Sequence, residues 1–186
     1  LLLNTMIAKA QGNTAAKNEL LKKIIEKDPS NSDAHVEMAH EQMLRRNYAL
    51  AKKYYQKGLE SDPVNPDALF GLGQSSYYTG DLKLSKNAFT KITQIYPNNS
   101  LGWAYLGKLA AEDQNYKKAT DYIEQAIELE DDYYDFWVDY GNYLRYQGKY
   151  DEAESAWSRA IKINDAHFLA YIYRAALYEE RNQYDK

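Results

Sequence analysis

The chain has 186 residues, 45% of them hydrophobic, a mean hydropathy of -0.74, and no apolar run near the ~20 residues a membrane span requires. It has no cysteine, which excludes disulfides, thiolate metal sites and cysteine nucleophiles and suits cytoplasm and bacterial periplasm equally. With 23 Lys/Arg against 27 Asp/Glu the net charge is -4, which argues against a nucleic-acid partner.

The opening Leu1-Leu2-Leu3 is far shorter than the roughly 7–15 apolar residues of a signal-peptide core. With no initiator Met and a stop at Tyr184-Asp185-Lys186, the sequence reads as a fragment of a longer protein. Charge is uneven: residues 1–58 hold 10 Lys/Arg against 6 Asp/Glu, and residues 59–186 hold 13 against 21. Solvated helix faces account for that split.

Internal periodicity is the main signal. Pro29, Pro63 and Pro97 are spaced by 34, and two more steps of 34 reach Asp131 and Asp165. Residues 1–31 read as a worn first unit, with Gly12 at a turn and Leu21, Ile24, Ile25 and Pro29 in register. Residues 32–65 place His35, Met38 and Ala39 on one helix, break at Arg46-Asn47, and continue with Tyr48, Ala51 and Tyr55. Residues 66–99 repeat this with Leu69, Leu72 and Gly73, a break at Gly80-Asp81, then Leu82, Ser85 and Phe89. Pro63 ends one helix there, Asn65 caps the next, and Pro66 takes a first-turn position where its missing N–H is harmless. Residues 100–133 give Trp103, Leu106 and Gly107, Gln114-Asn115, then Tyr116, Ala119 and Ile123. Residues 134–167 give Trp137, Tyr140 and Gly141, Gly148-Lys149, then Tyr150, Ala153 and Trp157. Residues 168–186 hold one further first helix, with Tyr171 in the opening column and Asn182-Gln183 at the break.

Two amphipathic helices about a short polar turn satisfy each period. Small residues of the first helix are expected to face small residues of the second, with larger rings filling the space beside them. One hairpin cannot bury its apolar face alone, so the predicted fold is all-α: a solenoid of antiparallel helix pairs in a single array over 1–186.

The column Trp137, Tyr140-Gly141, Tyr150, Ala153, Trp157 and Ala160 resembles the tetratricopeptide repeat family over about residues 32–186. In residues 1–31, Asn4 and Thr5 depart from the family's Leu-Gly, and Asp131 and Asp165 replace its proline. Ile92 stands where a small residue is usual. The resemblance implies a right-handed superhelix whose first helices line a concave groove holding a peptide or partner segment. Mapped onto this sequence, the lining comprises Val36, His40 and Met43; Phe70, Gln74 and Tyr77; Lys108; and Val138, Asn142, Arg145 and Tyr146. Apolar and aromatic residues there would grip the segment while Gln74, Lys108, Asn142 and Arg145 fix it by hydrogen bonds. Trp137, Tyr140, Tyr150 and Trp157 belong to core columns, and Phe136 and Tyr143 are expected to meet a neighbouring repeat. Some relatives clamp the acidic tails of heat-shock chaperones, but Val36, His40, Gly71, Leu101 and Tyr105 stand where that clamp needs Lys, Asn and Arg, so such a partner is not expected.

Chemistry is sparse. His35 reads as a packing residue, and His40-Glu41 lacks the second His of a zinc-protease helix. Glu37 and Glu41, one turn apart, read as a solvated face, and Asp131-Asp132 as helix capping. Gly71 and Gly73 sit inside a helix and form no phosphate loop. No catalytic residue, metal site or cofactor is expected. The expected function is a non-catalytic scaffold for a protein or peptide, with no nucleic acid and no membrane. The alternatives are a homo-oligomer formed through its terminal repeats, where Tyr171, Ala175 and Tyr178 would be uncovered, or a substrate-presenting arm of a larger enzyme.

Overall fold

The computed structural model describes residues 5, 7, 8 and 10–181, and among them the regular structure is entirely α-helical. Asn4 and the break at Asn182-Gln183 lie outside the described residues. After a helical stretch that includes Thr5, Ile7, Ala8 and Ala10, ten helices follow. They are α1 (Thr14–Lys27), α2 (Ser32–Leu44), α3 (Tyr48–Ser61), α4 (Pro66–Tyr78), α5 (Leu82–Ile95), α6 (Ser100–Glu112), α7 (Tyr116–Leu129), α8 (Tyr134–Tyr146), α9 (Tyr150–Ile163) and α10 (Leu169–Glu180).

The period is written into the backbone. Gly12, Arg46, Gly80, Gln114 and Gly148, each 34 residues after the last, all have φ between 56° and 76°. At each, the next residue's N–H returns to a carbonyl five residues back, as from Asn47 to Gln42 and from Lys149 to Leu144, which closes the helix end in a left-handed cap. Helix starts are equally regular. The Asn13, Asn31, Asn65, Asn99 and Asn115 side chains accept from the backbone N–H three residues on, at 2.7–3.1 Å.

The chain divides into two compact units, Leu1–Ile95 and Tyr96–Lys186. In the first, α1 to α5 pack in sequence and α2 also meets α4. Its core runs from Leu21, Ile24, Ala34 and Met38 to Val36, Ala39, Ala51, Tyr55, Ala68, Leu72 and Ala88. In the second, α6 to α10 pack in sequence, with further contacts of α6 with α8 and α8 with α10. Phe136 and Tyr143 are buried beside Ala104, Ala119 and Ile123, so they meet the preceding hairpin as expected.

Packing within hairpins refines one expectation. Small residues meet small ones at Gly73, whose carbonyl accepts from the Ser85 hydroxyl at 2.8 Å, but rings crowd the same glycines: the Trp157 indole lies over Gly141, where an added Cβ would come within 2.4 Å of its Nε1, and Phe89 lies over Gly73 in the same way. Gly107 keeps the expected close backbone approach, its would-be Cβ 3.3 Å from the Ala119 carbonyl oxygen. Between hairpins, the Tyr55 ring covers Gly71 so closely that any Cβ would collide with it.

Of the large residues opening the first helices, His35 and Leu69 are buried, Trp103 and Trp137 are half-buried, and Tyr171 is exposed. The Trp103 and Trp137 indole N–H groups donate to the carbonyls of Pro97 and Asp131 at 2.8 and 2.7 Å, and His35 Nε2 lies 2.9 Å from the Pro29 carbonyl. Three repeats thus tie the first helix to the loop mark six residues back. Tyr150, expected in a core column, is 37% exposed because it opens α9 at the turn rather than inside it.

Candidate functional site

In the first unit, α2 and α4 lie side by side and carry six of the predicted lining residues. Val36 is not among the accessible ones: it is buried with Ala39, Tyr55 and Leu72, its Cγ2 filling the space above Gly58. His40 and Met43 are half-buried, His40 meeting the Tyr55 ring edge-on at 5.7 Å and Met43 packing on the core. Phe70, also half-buried, is edge-on to Phe89 at 5.7 Å, and Gln74 is half-buried beside it on α4. Tyr77 keeps partial exposure and meets Tyr78 at 5.8 Å. Burial pushes the Tyr55 hydroxyl well above its ordinary pKa, the carboxylates of Asp67 and Glu37 adding to the effect.

In the second unit the corresponding face belongs to α6, α8 and α10. Val138 is buried in the core with Leu144 and Trp157, and its carbonyl accepts from the Trp157 indole at 3.3 Å. It is corrected, like Val36, to a packing residue. Lys108 is already engaged: its Nζ lies 3.2 Å from Asp139 Oδ2 and 5.9 Å from the Tyr105 ring centre. Burial raises the Asp139 carboxyl above the ordinary carboxylate range, against the opposing pull of Lys108. Arg145 bridges to Glu180 at 3.0 and 3.3 Å, so two cations expected to reach for a guest instead join neighbouring first helices. Asn142, half-buried on α8, makes no side-chain hydrogen bond among the described residues.

Tyr146 is 61% exposed and stacks on Tyr116 at 4.6 Å with rings 14° apart. Tyr78, 51% exposed, stacks on Tyr48 at the same distance. Both pairs join residues 30 apart, and the two pairs are themselves 68 residues apart, twice the period. Reading each column separately missed them, and comparing columns across adjacent periods yields them only as candidates, since the stagger between hairpins selects which columns touch.

Three of the four carboxylates singled out in the sequence, Glu37, Glu41 and Asp131, have structural partners. Glu41 is buried, not solvated, and pairs with the buried Lys17 ammonium, with Glu37 at 3.6 Å completing the cluster. Lys17 was not foreseen, since its partner is 24 residues away on another helix. Asp131 pairs with Arg159 at 3.2 Å. His167 stacks on Tyr134, whose hydroxyl accepts from the Ala170 N–H at 3.0 Å. Among the described residues no group of three or more His, Asp or Glu could hold a metal ion. No helix among them is long and apolar enough to cross a membrane.

Comparison with known proteins follows the same lines. Tetratricopeptide repeat family models match residues 36–100 and 134–167, together more than half of the chain. The TPR repeat-containing protein MJ1428 of Methanocaldococcus jannaschii is 30% identical over 98 residues, which is 53% of this chain but only 17% of that protein's length. A tetratricopeptide repeat protein from Parabacteroides merdae superposes with a TM-score of 0.82 at 18% identity, covering 98% of this chain and 72% of that one. YrrB, described as a TPR protein with an unusual peptide-binding site, gives 0.73 at 22% identity over 89% and 86%. The 34-residue pattern, the helical hairpins that realise it and these matches make the chain a member of the tetratricopeptide repeat family.

Proposed function

We propose that the chain is a non-catalytic scaffold whose first-helix faces hold an extended or helical segment of a partner protein. The carrying observation is what the first helices of each unit, taken separately, leave accessible: half-buried His40, Met43, Phe70, Gln74 and Tyr77 in the first, and half-buried Asn142 with exposed Tyr146 in the second. Apolar and aromatic side chains, together with the Asn142 amide, which makes no side-chain hydrogen bond among the described residues, suit a peptide better than a small metabolite. The peptide-binding site described for YrrB, a fold relative, supports the reading. Lys108 and Arg145 serve here to set the spacing of neighbouring first helices, and Val36 and Val138 to pack behind them.

Affinity capture from the native lysate tests it. Tyr77→Ala and Asn142→Ala, one change in each unit, should each reduce recovery of a specific partner at unchanged helix content. Equal recovery by both variants would remove the first-helix faces from the function.

Self-assembly is a second reading, favoured by α10. Phe168, Tyr171 and Ile172 are 63, 45 and 51% exposed at its start, a run of apolar surface that a second copy could cover. Tyr178, expected on that uncovered face, is instead buried against α9 and bonded to Glu154. Sedimentation of wild-type protein and Ile172→Asp over a concentration series decides it: self-association lost in the variant supports assembly, and a constant monomer mass rejects it.

A further inference from the structure

A different surface stands out where the α2–α3 hairpin of the Leu1–Ile95 unit turns. Leu44, the last residue of α2, is 80% exposed, more than any other large apolar side chain among the described residues. Arg45 and Arg46 follow it, both exposed, and neither guanidinium has an ion pair or hydrogen bond among the described residues. Next along the turn, Tyr48 opens α3 and stacks on Tyr78 of the neighbouring hairpin at 4.6 Å. Asp81, on the adjoining turn, is spent: one oxygen caps the Leu84 N–H and the other pairs with Lys52 at 3.3 Å.

A cation at a helix C-terminus complements the helix dipole, which accounts for one arginine. It does not account for Arg46, which holds φ at 57° in a column where Gly12, Gly80 and Gly148 adopt that conformation without a Cβ. Gln114 shares the conformation, so strain alone marks no site. Two adjacent unpaired guanidiniums beside an open leucine and a tyrosine stack do.

We propose that this turn edge docks an acidic linear segment of a partner protein. Its carboxylates would take the Arg45 and Arg46 forks, and a leucine or aromatic anchor would rest on Leu44 and the Tyr48–Tyr78 stack. Guanidinium forks match carboxylates in two parallel hydrogen bonds, and an apolar anchor needs the exposed hydrocarbon beside them. Nucleic acid fits less well. The unit carries 13 Lys/Arg against 10 Asp/Glu, a net +3, which is a thin counterion footprint for a phosphate backbone.

The test is fluorescence anisotropy of the whole chain with a labelled Asp/Glu peptide bearing one central Leu-Trp pair. A Lys-substituted counterpart and polyuridine serve as comparison ligands. Binding of the acidic peptide should weaken with salt and fall about tenfold or more in Arg45→Glu/Arg46→Glu. Arg46→Gly should raise the melting midpoint by a few degrees by relieving the backbone while weakening the peptide, a split that a purely structural arginine cannot give. Asn142→Ala, in the other unit, should leave this binding unchanged, which separates it from the first-helix reading. Equal affinity in both arginine variants, equal binding of the Lys peptide, tighter binding of polyuridine, or self-association abolished by the charge reversal would each overturn the proposal.

Discussion

Gly141 shows how little freedom single positions have. A Cβ there would sit 2.4 Å from the Trp157 indole nitrogen, and Trp157 is wholly buried, so it cannot swing aside. Gly141→Ala should destabilise the fold by about 1–3 kcal/mol, read as a lower denaturant midpoint at unchanged slope. Asp139 works in the opposite sense. Its carboxyl titrates above the ordinary carboxylate range because burial opposes its charge, so between the unfolded and folded pKa values the folded state binds more protons. Stability should therefore rise as pH falls from neutrality into that window, and Asp139→Asn should flatten the slope. A urea midpoint measured against pH in both proteins checks this. The sequence placed Trp157 and Gly141 correctly because size recurs at fixed columns. It misplaced Val36 and Val138 because helical spacing orders residues around a helix without fixing how wide an arc its neighbours cover. Each first helix is flanked by its own second helix and by an adjacent hairpin, and the buried arc extends to both valines.

At the scale of the helix, the legible features were the stops and starts. Pro63, Asn65 and Pro66 announced their boundary through local chemistry, and the asparagine caps observed at 31, 65 and 99 repeat it. Where the period is broken, stability should be recoverable. Tyr133 takes the cap position of α8 with no side-chain hydrogen bond, and Tyr133→Asn is expected to add about 1 kcal/mol, offset in part by the lost stack on Phe136. Gln114 holds a left-handed φ of 56°, and Gln114→Gly should add roughly 1 kcal/mol by removing that backbone strain. Thermal unfolding of the two variants against wild type measures both. The Lys17–Glu41 pair and the tyrosine stacks were not legible in the same way. They join residues 24 and 30 apart, and which columns touch depends on the stagger between hairpins rather than on any local preference.

For the molecule as a whole, stability in such arrays is a sum over neighbours, so helices with fewer neighbours open first. Helix α10 rests on α9, with a lighter contact to α8, and leaves Tyr171, Ile172 and Ala175 exposed. Amide hydrogen exchange should therefore run faster along α10 than along α7, which is packed on both sides by α6 and α8. The two units also differ in charge: 13 Lys/Arg against 10 Asp/Glu in Leu1–Ile95, and 10 against 17 in Tyr96–Lys186.

The tryptophans make that division visible to an optical experiment. Trp103, Trp137 and Trp157 all belong to the second unit, two of them tied to loop carbonyls and one sealed in the core. Indole emission is thus a private gauge of one half of the protein, whereas far-ultraviolet dichroism sums the helices of both. Melting curves recorded by the two methods will part company if the halves come undone separately and will superimpose if they let go together.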